Sequence, residues 1–463
     1  MKISAAEENR FAQNHDSRPV LRRYPYPYTS AIAISNDTDF MSSKAFLDWH
    51  KFVNGTADTP YGQGLGLEVG DSFWVWNDEG AFSIFQDGPW NIKQEPSADS
   101  ELIKEFSNAG FLDTLHGFGS WDSDFQLNRE LSESAIKIIQ HHDLKPRIYV
   151  NHGGGHLRKH NIGGPWHYYQ KGDDPSDPSY CLDLLTEIGI QYYWTDVCFE
   201  NEKFGEYKHY RNDIELHKEF DSYNFRRFLY SKDSGKPKVR NKIFPALSDA
   251  ELFVKQSSYF NRLLIPETAQ DGRDIYFFKR YRGREGPNVS TFASQVNDTN
   301  LDSLEQHQAA VVIYQHFGVW RALGREKRHV SQKPTLPPVL DENAVWAFRE
   351  LARRQDEGRL FITTTSRLLD YLRLRQHLRY QLLNEGDRHI IELEYIDCPV
   401  SGHVDLQQDM LQGLSFEIPT DWKDTDIMIK GVDNKIETTR IQAKGAEPVD
   451  VIYVPWKRLS FPE

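Results

Sequence analysis

The sequence predicts an α/β fold: a parallel barrel with one site at its mouth, followed by a small all-β sandwich. Three observations carry this expectation. Apolar strands alternate with helices from residue 31 to about 378. Most of those strands deliver a polar side chain at their carboxyl end, where parallel α/β proteins display functional groups. From residue 389 onward the chain turns to short alternating strands separated by turns, with no helical pattern.

Length and composition fit this architecture. At 463 residues the chain exceeds one ordinary domain and suits a barrel plus an appendage. Hydrophobic residues make up 39% and charged residues 27%, the balance of a globular protein with a sizeable core. The net charge of −13 argues against a nucleic-acid surface, which needs a basic stripe to neutralise phosphates. Aromatics reach 13%, with 11 Trp and 22 Tyr, as suits a cleft whose flat rings face sugar C–H surfaces, although packing is the default use of aromatics. Cys181, Cys198 and Cys398 are too few and too scattered for a disulfide framework. The N-terminus MKISAAEENRFAQNHDS lacks the apolar core of a signal peptide, and no apolar run is long enough for a transmembrane helix. A cytoplasmic protein is the expectation.

The pattern along the chain begins with a polar arm over 1–29, whose RRYPYPYTS favours an extended path into the first strand. Residues 31–34 of AIAISNDTDF form an apolar strand that stops at Ser35-Asn36 and sets down Asp37 and Asp39. Two carboxylates so close repel, and call for a cation or a shared proton; an Asp-rich turn is the plainer reading. MSSKAFLDWHKFVNG carries a Ser cap and a helical apolar spacing that ends at Gly55. Residues 64–80 show alternating β segments, and 101–110 a helix with a Gly stop. A strand through Leu112 and Leu115 then ends at His116, followed by Gly117 and Gly119, which let the backbone turn beside the imidazole.

Helix 128–142 leads to a strand at Ile148 and Val150, and then to Asn151, His152 and His156. HGGGH has the i, i+4 spacing of a metal pair on a helix, but three glycines disfavour a helix. It reads as a loop wrapped closely around something, with His152 nearest the strand end. Residues 181–197 give a helix, a Gly stop and a strand ending at Trp194, Thr195 and Asp196, and an insertion over the barrel mouth fills 199–250. Strands at 263–268 and 274–283 follow, the second carrying Tyr276, Phe278 and Arg280 on one face. AAVVIYQHFG is a further apolar strand, ending in His316. A helix at 341–356 and a strand and helix within 360–378 complete a domain over 30–380; residues 381–463 form the sandwich. Polar groups at so many successive strand ends favour a site over a set of unrelated turns.

The order Asp-x-Asp, His, His-containing loop, Trp/Asp strand and late strand ending in His resembles the NodB-homology polysaccharide deacetylases (carbohydrate esterase family four). The likeness covers roughly residues 30–378 and implies a distorted (β/α)7-type barrel. It implies Asp37 as catalytic base, Asp39, His116 and His152 as ligands of one divalent metal ion, zinc, and His316 as catalytic acid. Asn151, His156, Trp121, Asp122, Trp194, Asp196 and Arg280 are further candidates for holding substrate or supporting those residues. The chain departs from the family pattern at three points: Thr38 separates the two acids, position 120 is Ser where a second His belongs, and the literal HxxxH falls one strand late. A divergent branch acting on bacterial surface glycans would carry these changes, with His152 replacing the missing ligand.

The expected activity is therefore metal-dependent deacetylation of an N-acetylated sugar in a polysaccharide or glycan precursor. Two other classes stand beside it. A metal-dependent glycoside hydrolase would need acids flanking the scissile bond, with Asp122 or Asp196 essential. A non-catalytic glycan-binding or assembly protein would bind sugar without turnover.

Overall fold

The computed structural model describes residues 18–38, 41–77, 82–89, 95–120, 127–151, 161–163, 170–198, 204, 262–281, 283, 287–320, 328–329, 340–432, 435–442 and 449–462. Asp39, Trp121, Asp122, His152 and His156 lie outside them, as does all of the expected 199–250 insertion except Phe204. The chain divides into two compact units, one of Ser30–Leu368 with Leu459–Glu463, the other of Met1–Thr29 with Leu369–Arg458.

The first unit is mixed α/β around a mostly parallel sheet. Its main strands are β1 (Ser30–Asn36), β2 (Gly70–Asn77), β3 (Leu112–Leu115), β4 (Ile148–Tyr149), β5 (Tyr192–Cys198), β6 (Leu264–Thr268), β7 (Asp274–Arg280), β8 (Ala310–Gln315) and β9 (Leu360–Ile362). Eight α-helices occur among the described residues: α1 (Ser43–Val53), α2 (Ser100–Asn108), α3 (Arg129–His141), α4 (Leu182–Glu187), α5 (Phe292–Gln295), α6 (Asp298–Gln306), α7 (Glu342–Asp356) and α8 (Thr365–His377).

The main strand order is β6-β7-β5-β4-β3-β2-β1-β8, with β9 also on β1. Only the β6–β7 pair in this path is antiparallel. Strand β1 pairs with β8 from Ala31 to Asn36; its other side meets β9 at Ser30–Ile32 and β2 at Ser35–Asn36. Tyr281, just past β7, bridges Ile313 of β8 in parallel: its N–H donates to the Val312 carbonyl, and its carbonyl accepts from Tyr314.

Every residue of β1 and of β8 is buried, as befits parallel strands covered on both faces, and explains why both read as continuous apolar runs. The helices start where the sequence supplies caps. Ser42 accepts from the Ala45 N–H before α1, Asn128 from Leu131 before α3, and Asp341 from Ala344 before α7. The α1 face of Phe46, Trp49, Phe52 and Val53 is buried, with Phe46 stacked on Phe82 at 4.3 Å. The last described residues return to this unit: the Leu459 N–H donates to buried Glu68 at 2.7 Å, and the Phe461 ring meets Phe106 edge-on at 5.6 Å.

In the second unit, strands β10 (Leu378–Glu385), β11 (Arg388–Cys398), β12 (Gly402–Val404) and β14 (Asp424–Ile429) make one sheet. Strands β13 (Ser415–Pro419), β15 (Thr439–Ile441) and β16 (Val449–Tyr453) make another with Val20–Leu21. Part of the expected arm is thus an edge strand: Val20–Leu21 runs antiparallel to β13, and Arg22 pairs with Glu417 at 2.9 Å. The Tyr380 and Phe416 rings, one from each sheet, meet edge-on at 5.1 Å. Among the described residues no helix is long and apolar enough to cross a membrane.

Candidate active site

The carboxyl ends of β1, β3 and β8, with the first half of β2, converge on one carboxylate. Asp37 follows β1 directly, and its N–H donates to the Gln315 carbonyl of β8 at 2.8 Å, which ties the strand end in place. Its side chain is fully buried. A charged oxygen so far from water needs partners on both lone-pair sides, and the neighbouring strand ends supply them.

On Oδ1 sits His116, whose Nδ1 makes a short contact with that oxygen. His116 directly follows β3, and Gly117, with φ of 131°, turns the chain in a conformation that favours glycine. The imidazole stacks on Trp74 of β2 at 4.0 Å. Ser72 of β2 joins both: its hydroxyl lies 3.1 Å from His116 Nδ1 and 3.4 Å from Asp37 Oδ1. Ser72 also accepts from the Thr38 N–H, and its carbonyl accepts from the Thr38 hydroxyl, so β1 and β2 are cross-stitched at the site.

On Oδ2 sits His316, its Nε2 3.2 Å away. The Tyr314 hydroxyl is 3.3 Å from the same oxygen and 3.2 Å from the same nitrogen. Tyr314 and His316 are two residues apart at the end of β8, so the period of a strand turns them to one face. Beyond Tyr314, the Arg280 guanidinium lies over two rings, 4.0 Å from the centroid of Trp194 and 4.4 Å from that of Tyr314.

The sequence candidates therefore fall into three groups. Asp37, His116 and His316 are brought together, with Trp194 and Arg280 one aromatic ring away. Asn151 serves its own loop: its amide donates to the Ile162 carbonyl and accepts from the Ile162 N–H. Asp39, Trp121, Asp122, His152 and His156 lie outside the described residues, and Asp196 is described only as part of β5. Ser72, Tyr314 and Trp74 escaped sequence reasoning. For Tyr314 a signal existed, its two-residue spacing from His316. For Ser72 none did, because Gly-Asp-Ser at the start of a strand looks like an ordinary turn.

Next to Ser72, Asp71 is fully buried and bonded to His50 of α1 at 3.1 Å. Burial pushes the Asp71 carboxyl well above the usual carboxylate range, against hydrogen bonds from Asn36 and Ser72 that favour its charge. Burial likewise pushes the His50 imidazole down to about 3, opposed by its bond to Asn54.

The fit of a metal to this site rests on His116. An imidazole whose Nδ1 faces a carboxylate presents Nε2 in the unprotonated form that ligates metal, and a carboxylate behind a ligand histidine is the common arrangement. Among the described residues no group of three or more His, Cys, Asp or Glu side chains is placed to hold an ion; Asp39 and His152 fall outside that set.

No family model matches the chain, and no curated protein matches it either.

Proposed function

We propose that this protein is a metal-dependent carbohydrate deacetylase that hydrolyses the acetamido group of an N-acetylated sugar in a polysaccharide or glycan precursor. The observation that carries the reading is the Asp37 carboxylate with one histidine on each oxygen, His116 on Oδ1 and His316 on Oδ2. Hydrolysis of an amide needs a base for the attacking water and an acid for the departing amine. Asp37 and His316 are such a pair, in direct contact.

Asp39, His116 and His152 are the residues that would hold one divalent metal ion, zinc. Bound there, the ion would supply polarisation of the acetyl carbonyl and a more acidic water. The protein's own groups move the protons. Asp37 takes one from the water as its oxygen bonds to the acetyl carbon. Protonated His316 gives one to the nitrogen as the C–N bond breaks, releasing acetate and the free amine. The 3.2 Å contact then lets the proton on Asp37 pass to His316, which resets both groups. Tyr314, hydrogen-bonded to each, holds the two in line.

A closed (β/α)7-type barrel is part of this reading. It is supported by the parallel path β1-β2-β3-β4-β5-β7 and by the Tyr281–Ile313 bridge, which links the end of β7 to β8 beside β1. The paired sheets of the second unit support a β-sandwich, for which holding a long glycan is the proposed role. The test is to incubate the zinc-loaded protein with N-acetylated oligosaccharides and measure acetate and reducing sugar. Acetate supports the reading. New reducing ends without acetate would make the protein a glycosidase, and binding without either product a lectin-like protein.

A further inference from the structure

The buried polar side chains next to the site form one chain, and its hydrogen-bond inventory can be closed. Asn36, the residue before Asp37, accepts from the Phe317 backbone N–H at 2.8 Å through Oδ1. Its Nδ2 must therefore be the atom that donates to Asp71 Oδ1 at 2.6 Å. The Ser72 backbone N–H donates to that same Oδ1 at 3.3 Å. Oδ1 of Asp71 thus receives two donors and cannot carry a proton.

The far end of the chain is fixed in the same way. Asn54 gives both N–H bonds of its amide to backbone carbonyls, Leu67 at 2.9 Å and Val69 at 3.0 Å. Its Oδ1 is then the atom 2.6 Å from His50 Nδ1, so Nδ1 carries hydrogen. Between His50 Nε2 and Asp71 Oδ2, 3.1 Å apart, a single proton remains to be assigned. On nitrogen it makes a buried ion pair; on oxygen, a neutral pair. Both side chains are fully buried, and the imidazole is walled by Phe46 at 4.2 Å and Phe106 at 5.2 Å. Separating charge there costs more desolvation than the pairing returns.

We propose that Asp71 is an uncharged positioning residue: its carboxylic O–H donates to His50, and its other oxygen holds Asn36 and Ser72 at the positions from which they set His316 and Asp37. Asn36 fixes the backbone of Phe317, the residue after His316. Ser72 holds Asp37 and His116 directly. The role does not depend on which reaction Asp37 and His316 perform.

The test uses the full chain labelled with 15N at histidine, with His50→Gln assigning the His50 signals. The expected spectrum has a protonated Nδ1 and an unprotonated, hydrogen-bonded Nε2; an imidazolium with both nitrogens protonated would overturn the proposal. Asp71→Asn preserves the inventory, because its amide donates to His50 and its oxygen accepts from Asn36 and Ser72. At pH 6.5 this variant is expected to melt within about 3 °C of the parent and to leave the His116 and His316 signals in place. Asp71→Ala should melt about 5 °C lower or more and shift both sets of signals. Equal losses in the two variants, or an Ala variant with unmoved His116 and His316 signals, would refute positioning through Asp71. Should the Ala variant fail to fold, the parent tautomer and the Asn rescue still decide.

Discussion

His316 Nε2 stands 3.2 Å from Asp37 Oδ2, although one residue follows the first strand of its unit and the other a strand near the end of it. The parallel pairing of β1 with β8, in register from Ala31–Ala310 to Asn36–Gln315, makes them neighbours. This contact joins the proposed base to the proposed acid.

His316→Ala removes the acid without touching the metal ligands. Turnover is expected to fall about 100- to 10,000-fold, the usual share of general acid catalysis, while metal content and melting temperature stay near those of the parent. A large drop in stability with an unchanged rate per folded molecule would make His316 a structural histidine of the strand end.

Tyr314→Phe keeps the ring that packs on Trp194 and Arg280 and deletes only the hydroxyl shared by Asp37 and His316. A hydrogen bond to a charged group contributes about 1.5–3 kcal/mol. The expected loss is therefore about 10- to 100-fold in kcat with little change in KM. An unaltered kcat would show that the hydroxyl does not serve the reaction.

Asp39→Ala, His116→Ala and His152→Ala should each lower bound divalent metal and activity together, because losing one of three ligands usually dismantles the site. Metal analysis of the purified variants reads this directly. His156→Ala is expected to keep its metal; if it loses the ion while His152→Ala does not, the ligand is the other end of HGGGH.

The Asp71–His50 pair has a pH signature whose sign follows from its protons. The ordinary values are 3.8 for the carboxyl and 6.5 for the imidazole; folding raises the first and lowers the second to about 3. Between 3.8 and 6.5 the unfolded pair carries one proton, on His50, and the folded pair also one, on Asp71, so the pair contributes no slope. Above 6.5 the unfolded pair loses its proton, and stability from the raised carboxyl is lost as pH rises through its folded value. Below 3.8 the unfolded pair holds two protons, and stability falls with pH. Asp71→Asn leaves His50 alone: its contribution is full above 6.5 and is lost as pH falls toward 3. Urea unfolding of parent and variant from pH 4 to 9 should therefore show the variant gaining on the parent as pH rises, up to 6.5 because His50 alone regains its contribution while the parent stays level, and above 6.5 because the parent loses the contribution of the raised carboxyl. Parallel pH profiles would contradict the assignment.

Much of the scaffold was legible in the sequence because parallel strands buried on both faces leave a plain signature. AIAI and AVVIYQ could hardly be surface segments, and a polar residue just past each marks a strand end. Asp37, His116 and His316 were found by that logic. What escaped depends on partners remote in sequence. His50 sits among Phe46, Trp49 and Phe52 on the buried face of α1, where a histidine looks like ordinary core until Asp71 is seen opposite. Val20–Leu21 pairs with β13 across most of the chain, a register that no local pattern encodes. Strand β10 was overlooked because its Leu and Arg residues continue the spacing of the helix before it.

The central claim is that Asp37 activates water against an acetamido carbon. Acetate release from N-acetylated oligosaccharides, measured with zinc-loaded parent, chelator-treated parent and Asp37→Asn, tests it most directly. The expected result is steady acetate release by the parent, recovered after chelation by added zinc and reduced at least about 100-fold in Asp37→Asn. Acetate released equally well by Asp37→Asn, or no acetate from any N-acetylated substrate by the zinc-loaded parent, would contradict it.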